Sequence, residues 1–287
     1  MMRHVYSPGL LAARNGLKVR HCLSCGYAHL DPLPKQGVLD RFYKDSFWQH
    51  KKPGAEAEID RQLEWWHAVW GDWLSVLGEV ATRKTLLDIG CGFGHFPAFA
   101  RSEGWFAIGV EPNEEAAAKA EGRNVMLINW PGRDPGRGRY GAASALWLLE
   151  HVADPADMLR LLWEDADALL LVVPNEFTEA QRLANGVAAV HDWFVDETHV
   201  NYFTKKTLWG LLTTTGWEIA WCGSTYSMET HISLGRDYTS NHDLGRELHD
   251  TIRRIDLGWT RAERLGACAA RADAGRDLIV VARRVES

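Results

Sequence analysis

Residues 86–94 read Leu86-Leu87-Asp88-Ile89-Gly90-Cys91-Gly92-Phe93-Gly94. An apolar run of strand length carries an acid near its end, and three glycines follow at alternate positions. Glycine reaches backbone conformations closed to other residues, so this run predicts a tight turn that lets a ligand approach the main chain. Working outward, residues 84–89 are expected to form a buried strand and 95–102 the helix after the turn, closed by Gly104. The alternation then repeats. Strands are expected over 105–110, 125–128, 142–148 and 168–173, with helices over 113–120 and 155–163 between them and a Gly-, Pro- and Arg-rich loop over 131–141. A helix over 205–215, a strand over 217–222, a partly helical insertion and a last strand over 277–282 follow. Strands alternating with helices indicate an α/β chain with a doubly wound, mostly parallel sheet. The run Leu169-Leu170-Leu171-Val172-Val173 fits a strand covered on both faces.

Upstream of the turn, residues 1–35 read as irregular. Between 55 and 80, Ile59, Leu63, Trp66, Val69, Trp70, Trp73 and Leu77 recur at three- and four-residue steps, the mark of one amphipathic helix. The expected organisation is an N-terminal irregular segment and lid over 1–54, then one large domain over 55–287. Residues 175–203 and 224–276 would be pocket or cap insertions within it. The 287 residues carry a net charge of -6 without a Lys/Arg block, so a nucleic-acid partner is not expected. The start Met1-Met2-Arg3-His4-Val5 lacks the apolar core of a signal peptide, and no apolar run approaches the ~18 residues of a membrane span. Five unevenly spaced Cys make no disulfide framework, which points to the reducing cytoplasm.

The spacing of the turn is G-x-G-x-G, whereas a dinucleotide-binding turn favours G-x-G-x-x-G. Asp88 would repel a pyrophosphate but pair with an ammonium group, such as that of S-adenosylmethionine. The next strand ends Gly109-Val110-Glu111-Pro112-Asn113, about twenty residues on, where a carboxylate accepts both hydroxyls of a ribose.

Together, LLDIGCGFG (86–94), GVEPN (109–113) and LLEHVADP (148–155) resemble the class I S-adenosylmethionine-dependent methyltransferases. Within them the chain is similar to the small-molecule subgroup that includes ubiquinone-pathway and sugar methyltransferases. The likeness runs through His199–Leu208 to Gly216-Trp217 and back into Cys22–Pro34, roughly residues 20–223. It implies a Rossmann-like sheet of seven strands, an N-terminal helical lid, an insertion after strand five, and S-adenosylmethionine as cofactor. Asp88, Gly90 and Gly92 would line its methionine portion, Glu111 its ribose, and Asn129 and Trp130 its adenine. Cys91, Pro112 and Leu148 join the cofactor-binding set, and Tyr43 or Trp48 in Phe42–Trp48 would close over it. Tyr140-Gly141 stands where the family commonly has an Asp, and Asn129 replaces another.

Methyl transfer is a displacement at an already activated carbon, so the protein mainly supplies alignment, plus a base when the acceptor is a hydroxyl. His151, after the fourth strand of the large domain, reads as such a base or as a histidine that fixes a loop. His199 ends the polar and aromatic stretch His191-Asp192-Trp193-Phe194-Val195-Asp196-Glu197-Thr198-His199, a candidate pocket wall. His95 reads as a surface or capping residue. Relatives of the ubiquinone type hold a divalent ion near the Leu-Glu-His motif. Only Glu150 and His151 remain here, with Leu146-Trp147 in the other position, so no metal is expected in the transfer site. Relatives with sugar substrates carry a four-Cys zinc module at the N-terminus. Cys22 and Cys25 are half of that set; His4, His21 or His29 could complete one, but zinc is not expected. Trp65, Trp66, Trp70 and Trp73, from a total of 14 Trp, suit a core, an acceptor wall or the seam of a homodimer. The reading that results is O-methylation of a small-molecule acceptor. The alternatives are nitrogen or carbon methylation, or cofactor binding without catalysis.

Overall fold

The computed structural model describes residues 4–120, 122–123, 125–127, 139–261 and 264–285. In chain order the elements begin with β1 (Ala12–Arg14), β2 (Leu17–His21) and β3 (Ala28–Leu30). Next come α1 (Gln36–Asp45), a π-helical turn (Phe47–Lys51), α2 (Ala55–Arg61), α3 (Leu63–Val80), β4 (Thr85–Ile89), α4 (His95–Ser102) and β5 (Phe106–Glu111). α5 (Glu114–Lys119), β6 (Val125–Leu127), β7 (Tyr140–Leu146), α6 (Pro155–Asp165), β8 (Ala166–Pro174), α7 (Glu179–Asn185) and β9 (Asn201–Tyr202) follow. The chain continues through α8 (Lys205–Thr214), β10 (Trp217–Ser224), α9 (Glu229–Ser233), α10 (His242–Leu257), α11 (Leu265–Arg271) and β11 (Asp277–Arg284).

Seven strands form one sheet in the order β10-β11-β8-β7-β4-β5-β6. β4, β5, β6, β7 and β8 pair in parallel, while β11 runs antiparallel to both β8 and β10. This is the expected mostly parallel α/β fold. The run Ala168–Val173 is wholly buried, because a helical layer covers each face of the sheet. One face packs on α6 and α8 through Leu159, Leu162, Leu208 and Leu212. The other packs on α3 and α4 through Trp70, Trp73, Leu77, Phe96 and Phe99. Capping fixes where helices start: the Asn113 side chain accepts from Ala116 N at the head of α5. Asp154, just before Pro155, does the same for α6, and Thr204 forms a capping box with Thr207 for α8.

Three expectations are corrected. The stretch expected to be irregular holds, over Ala12–Leu30, three strands: β1, β2 and β3 form an antiparallel sheet that β9 completes, pairing Ala28 with Tyr202 and His29 with Asn201. That sheet unites residues from both sides of the boundary expected at 54. The single helix over 55–80 is two, broken at Gln62, whose ψ of 18° leaves the helical range. The segment 175–203 holds α7 and β9 as well as loop. Ile128 and residues 131–138 of the expected loop lie outside the described residues. Among the described residues, no helix is long and apolar enough to cross a membrane.

Candidate active site

The glycine turn stands at the carboxyl end of β4, bound to the end of β5. Gly90 N and Cys91 N both donate to Val110 O, at 2.9 and 3.1 Å. Gly90 and Gly92 have φ of 69° and 54°, in the left-handed region that glycine enters freely. Space adds a second demand: a Cβ on Gly90 would lie 3.1 Å from Leu148, and one on Gly92 2.9 Å from the Trp48 ring. The Cys91 side chain turns back against Gly109, whose own Cβ would meet Sγ at 2.5 Å.

Two buried acids flank the turn. Asp88, 2% exposed, accepts from Ser144 Oγ at 2.6 Å. Burial pushes its carboxyl up to about 7, against the pull of the Ser144 bond, and Glu111 adds to the rise. Glu111 Oε2 accepts from Gly92 N at 2.9 Å, while Oε1 accepts from Asn113 N at 3.1 Å and Trp48 Nε1 at 3.4 Å. Burial raises this carboxyl too, and its backbone partners oppose the rise. Asp88, Gly90, Cys91, Gly92, Glu111, Pro112 and Leu148 therefore converge on one strand edge. Asn129 and Trp130 lie outside the described residues. The sequence gives no sign of the Trp48 indole reaching Glu111; only the lid pattern hints that this aromatic could matter.

The two histidines meet as well. Their rings lie 5.0 Å apart, edge to face. His151 Nδ1 is 2.7 Å from Thr198 O, a pure acceptor, so this nitrogen carries the proton and Nε2 keeps a lone pair. The Tyr43 hydroxyl lies 2.7 Å from the same Nδ1 and donates to Thr198 O at 3.1 Å. Burial pushes His151 down to about 4. His199 also falls well below its ordinary range, through burial first and His151 second. A histidine buried neutral stabilises the fold above its unfolded pKa of ~6.5, and loses that contribution as pH falls from there toward 4. His151 accordingly contributes about 3 kcal/mol that vanishes across this window. Urea midpoints at about pH 7 and about pH 4.5 should fall further for wild type than for His151→Asn. Equal falls would mean that His151 is not held neutral.

The carboxylates of 191–199 serve the architecture. Asp192 Oδ2 accepts from Ala13 N at 2.8 Å, tying the segment to β1. Asp196 accepts from Thr198 N and Oγ1, and pairs with Lys51 at 3.2 Å; Glu197 pairs with the same lysine at 2.6 Å. His95 is no surface residue: it is 8% exposed, and its Nε2 is 2.9 Å from Asp60 Oδ1 on α2. The expectation of two possible ligands near the Leu-Glu-His motif is also incomplete, since Glu150, His151 and His199 offer ligand atoms within 4.8 Å of one another.

A cavity of about 180 Å³ lies between α3, α10 and the β10–β11 side of the sheet; its wall includes Arg276 but not the glycine turn, Glu111, His151 or His199. Trp65, Trp66 and Trp73 of α3, Trp147 after β7, and Trp221 of β10 wall it. Trp70 serves the core alone, while Trp73 belongs both to the core and to the cavity wall. Trp147 has a φ of 51°, uncommon for a bulky residue, and its Nε1 donates to Asp277 Oδ1 at 3.0 Å. Arg253 covers Trp65 at 4.8 Å. Arg276 reaches Glu176 at 3.3 Å and Glu229 at 3.5 Å, two acids almost wholly buried. The sequence reading missed this cluster, because its members come from three distant segments.

No curated protein sequence matches the chain. Among solved structures it is similar to the plantazolicin methyltransferase BpumL in complex with SAH, with 14% identity and a TM-score of 0.54 over 88% of this chain and 95% of that one. It is also similar to magnesium protoporphyrin IX methyltransferase from Synechocystis PCC 6803 with bound SAH: 13% identity, TM-score 0.53, 87% of this chain and 100% of that one. At such identities the likeness speaks for the fold. The profile of the methyltransferase domain family matches residues 59–220, more than half of the sequence and all of the glycine turn, Glu111, His151 and His199. The chain belongs to the methyltransferase domain family and is an S-adenosylmethionine-dependent methyltransferase.

Proposed function

We propose that the enzyme methylates a hydroxyl of a small, flat acceptor, with His199 as the general base. The observation that carries this reading is the pair of neutral imidazoles at the strand edge, beside the glycine turn. An imidazole without its proton can take one from an attacking hydroxyl. In the step, the sulfonium–methyl bond breaks as the oxygen–methyl bond forms. S-adenosylhomocysteine leaves with the electron pair, and the hydroxyl proton passes to the imidazole. His151, oriented by Tyr43 and Thr198 O, stands behind His199 or takes its part.

For the cofactor, Glu111 would take the ribose hydroxyls in place of the Trp48 indole, and Asp88 would face the methionine ammonium. That cation would draw the Asp88 carboxyl back toward its ionised form. Gly90, Cys91, Gly92, Pro112 and Leu148 would line the path between them, and Tyr43 would belong to the lid. What supports a planar acceptor is the Trp-walled cavity, whose lining residue Arg276 is within electrostatic reach of His199; flat apolar walls favour flat ligands.

Labelled S-adenosylmethionine, incubated with the enzyme and a metabolite extract, should yield a labelled product whose methyl group is on oxygen by mass and magnetic-resonance analysis. A methyl found on nitrogen or carbon would replace this reading with the corresponding one. The sulfonium is activated without a Lewis acid, so added magnesium or manganese should leave the transfer rate unchanged. A rate that depends on either ion would make Glu150, His151 and His199 a metal centre instead.

A further inference from the structure

In the N-terminal sheet, four side chains that the transfer reaction does not use come together. His4, Cys22, Cys25 and His29 each offer a ligand atom within 4.8 Å of every other. Cys22 closes β2 into a hairpin turn, where Gly26 N donates to Cys22 O at 2.9 Å and Gly26 takes a φ of 80°. That turn brings both sulfurs to one side. A bridge pairing Tyr6 with Cys22 carries His4 alongside, and its Nδ1 lies 3.7 Å from Cys22 Sγ and 3.3 Å from Cys25 Sγ. Zinc bonds of about 2.3 Å to sulfur and 2.0 Å to nitrogen give a tetrahedron whose sulfur–nitrogen edges are ~3.5 Å. The observed spacings already match those edges.

His29 supplies the second, independent observation. It is completely buried, and its Nδ1 lies 3.1 Å from Leu30 O and 3.2 Å from the Tyr6 hydroxyl. Leu30 O can only accept, so Nδ1 carries the proton and Nε2 is left as a bare lone pair. That Nε2 is buried with no hydrogen-bond partner. An orphaned buried acceptor is costly unless something electropositive meets it. The contact at Nδ1 is also the outer-shell support that ligating histidines usually have.

We infer that His4, Cys22, Cys25 and His29 hold a structural zinc ion that fastens the N-terminal hairpin and, through β9, the segment carrying His199. Binding would release both thiol protons to solvent, leaving two thiolates and a divalent cation with no net charge. Four protein ligands close the shell, so the ion has no open position for chemistry. The reach to the transfer site is short in sequence terms. β3 pairs with β9, and Leu30 N donates to Val200 O at 3.0 Å, one residue past His199. The sheet's strands are only three, five, three and two residues long, over a small apolar cluster that includes Val19, Leu30, Val200 and Tyr202, and a metal would add to what that burial supplies. A redox-active Cys pair would need neither histidine, nor an empty-handed Nε2 between them.

The full-length enzyme, purified after growth with zinc, should contain one zinc per chain by elemental analysis. Cobalt exchanged into it should give tetrahedral ligand-field bands and thiolate-to-cobalt charge transfer. His29→Gln and Cys25→Ser should each cut zinc retention ~10-fold or more. The cobalt spectrum of wild type tests the site even where a variant does not fold. Absence of metal, iron in place of zinc, a Cys22–Cys25 disulfide, or a cobalt spectrum without thiolate bands would each overturn the assignment.

Discussion

Glu111→Ala should weaken S-adenosylmethionine and S-adenosylhomocysteine binding by ~10²-fold or more, measured by calorimetry. Hydrogen bonds to a charged acceptor contribute about 1.5–3 kcal/mol each, and a ribose offers two. The structure sets the lower end of this range. Glu111 is not idle without cofactor, because its Oε1 already accepts from the Trp48 indole, so part of the gain is an exchange of donors. Removing the carboxylate also strips Gly92 N and Asn113 N of their acceptor, so thermal melts must accompany the titrations. Glu111→Gln separates the two effects: it keeps an acceptor oxygen but loses the charge, and should bind more weakly than wild type and more tightly than Glu111→Ala. Asp88→Asn should weaken binding as well, by removing the partner of the ammonium group. Wild-type affinity in folded Glu111→Ala would end the ribose assignment.

His199→Ala should lower turnover ~10²–10⁴-fold, the usual range for loss of a general base, with cofactor affinity nearly unchanged. His151→Ala should lower both, because His151 is joined to Tyr43 and thence to the lid. The pH profile sharpens the test. A histidine with its unperturbed pKa of ~6.5 would give a rate rising through that value. Here both imidazoles are held neutral, His151 down to about 4 and His199 in the same direction, so the acid limb should lie well below 6.5. The rate should then be level from neutrality down to where the fold itself gives way. Full turnover in both single variants would leave alignment alone as the source of catalysis.

The main sheet was legible because its signals are local. Leu169–Val173 fits a strand covered on both faces, and the glycines of 90–94 read directly as a turn that favours residues without a side chain. The small sheet was hidden for the opposite reason. β1 and β3 have three residues each, mixed with Arg and His, and the pairing of β3 with β9 spans more than half of the chain. Gln62 breaks the Trp-rich helix without a Gly or Pro to announce it. The site divides in the same way. Asp88 and Glu111 follow from their strands, whereas the buried Nε2 of His29, the Asp60 latch on His95 and the Arg276 cluster depend on partners far away in sequence. The acids of 191–199 lie in a stretch that reads as a pocket wall; they are tied to β1 and Lys51, partners that its sequence does not announce.

The place of β11 has a consequence for how the protein is made. Residues 277–284 fill the slot between β8 and β10 and pair with both, antiparallel to each. A nascent chain emerges from the ribosome in order, so β4, β5, β7 and β8 can associate as they appear. β8 must then wait with one edge bare, its apolar run exposed to whatever is nearby, until more than a hundred further residues have been synthesised. β10 has no neighbour to join before that moment. Chaperone dependence, and aggregation of stalled or truncated chains, should therefore centre on the β8 edge, and the closing insertion of β11 should be the slow event that converts a half-sheet into an enzyme.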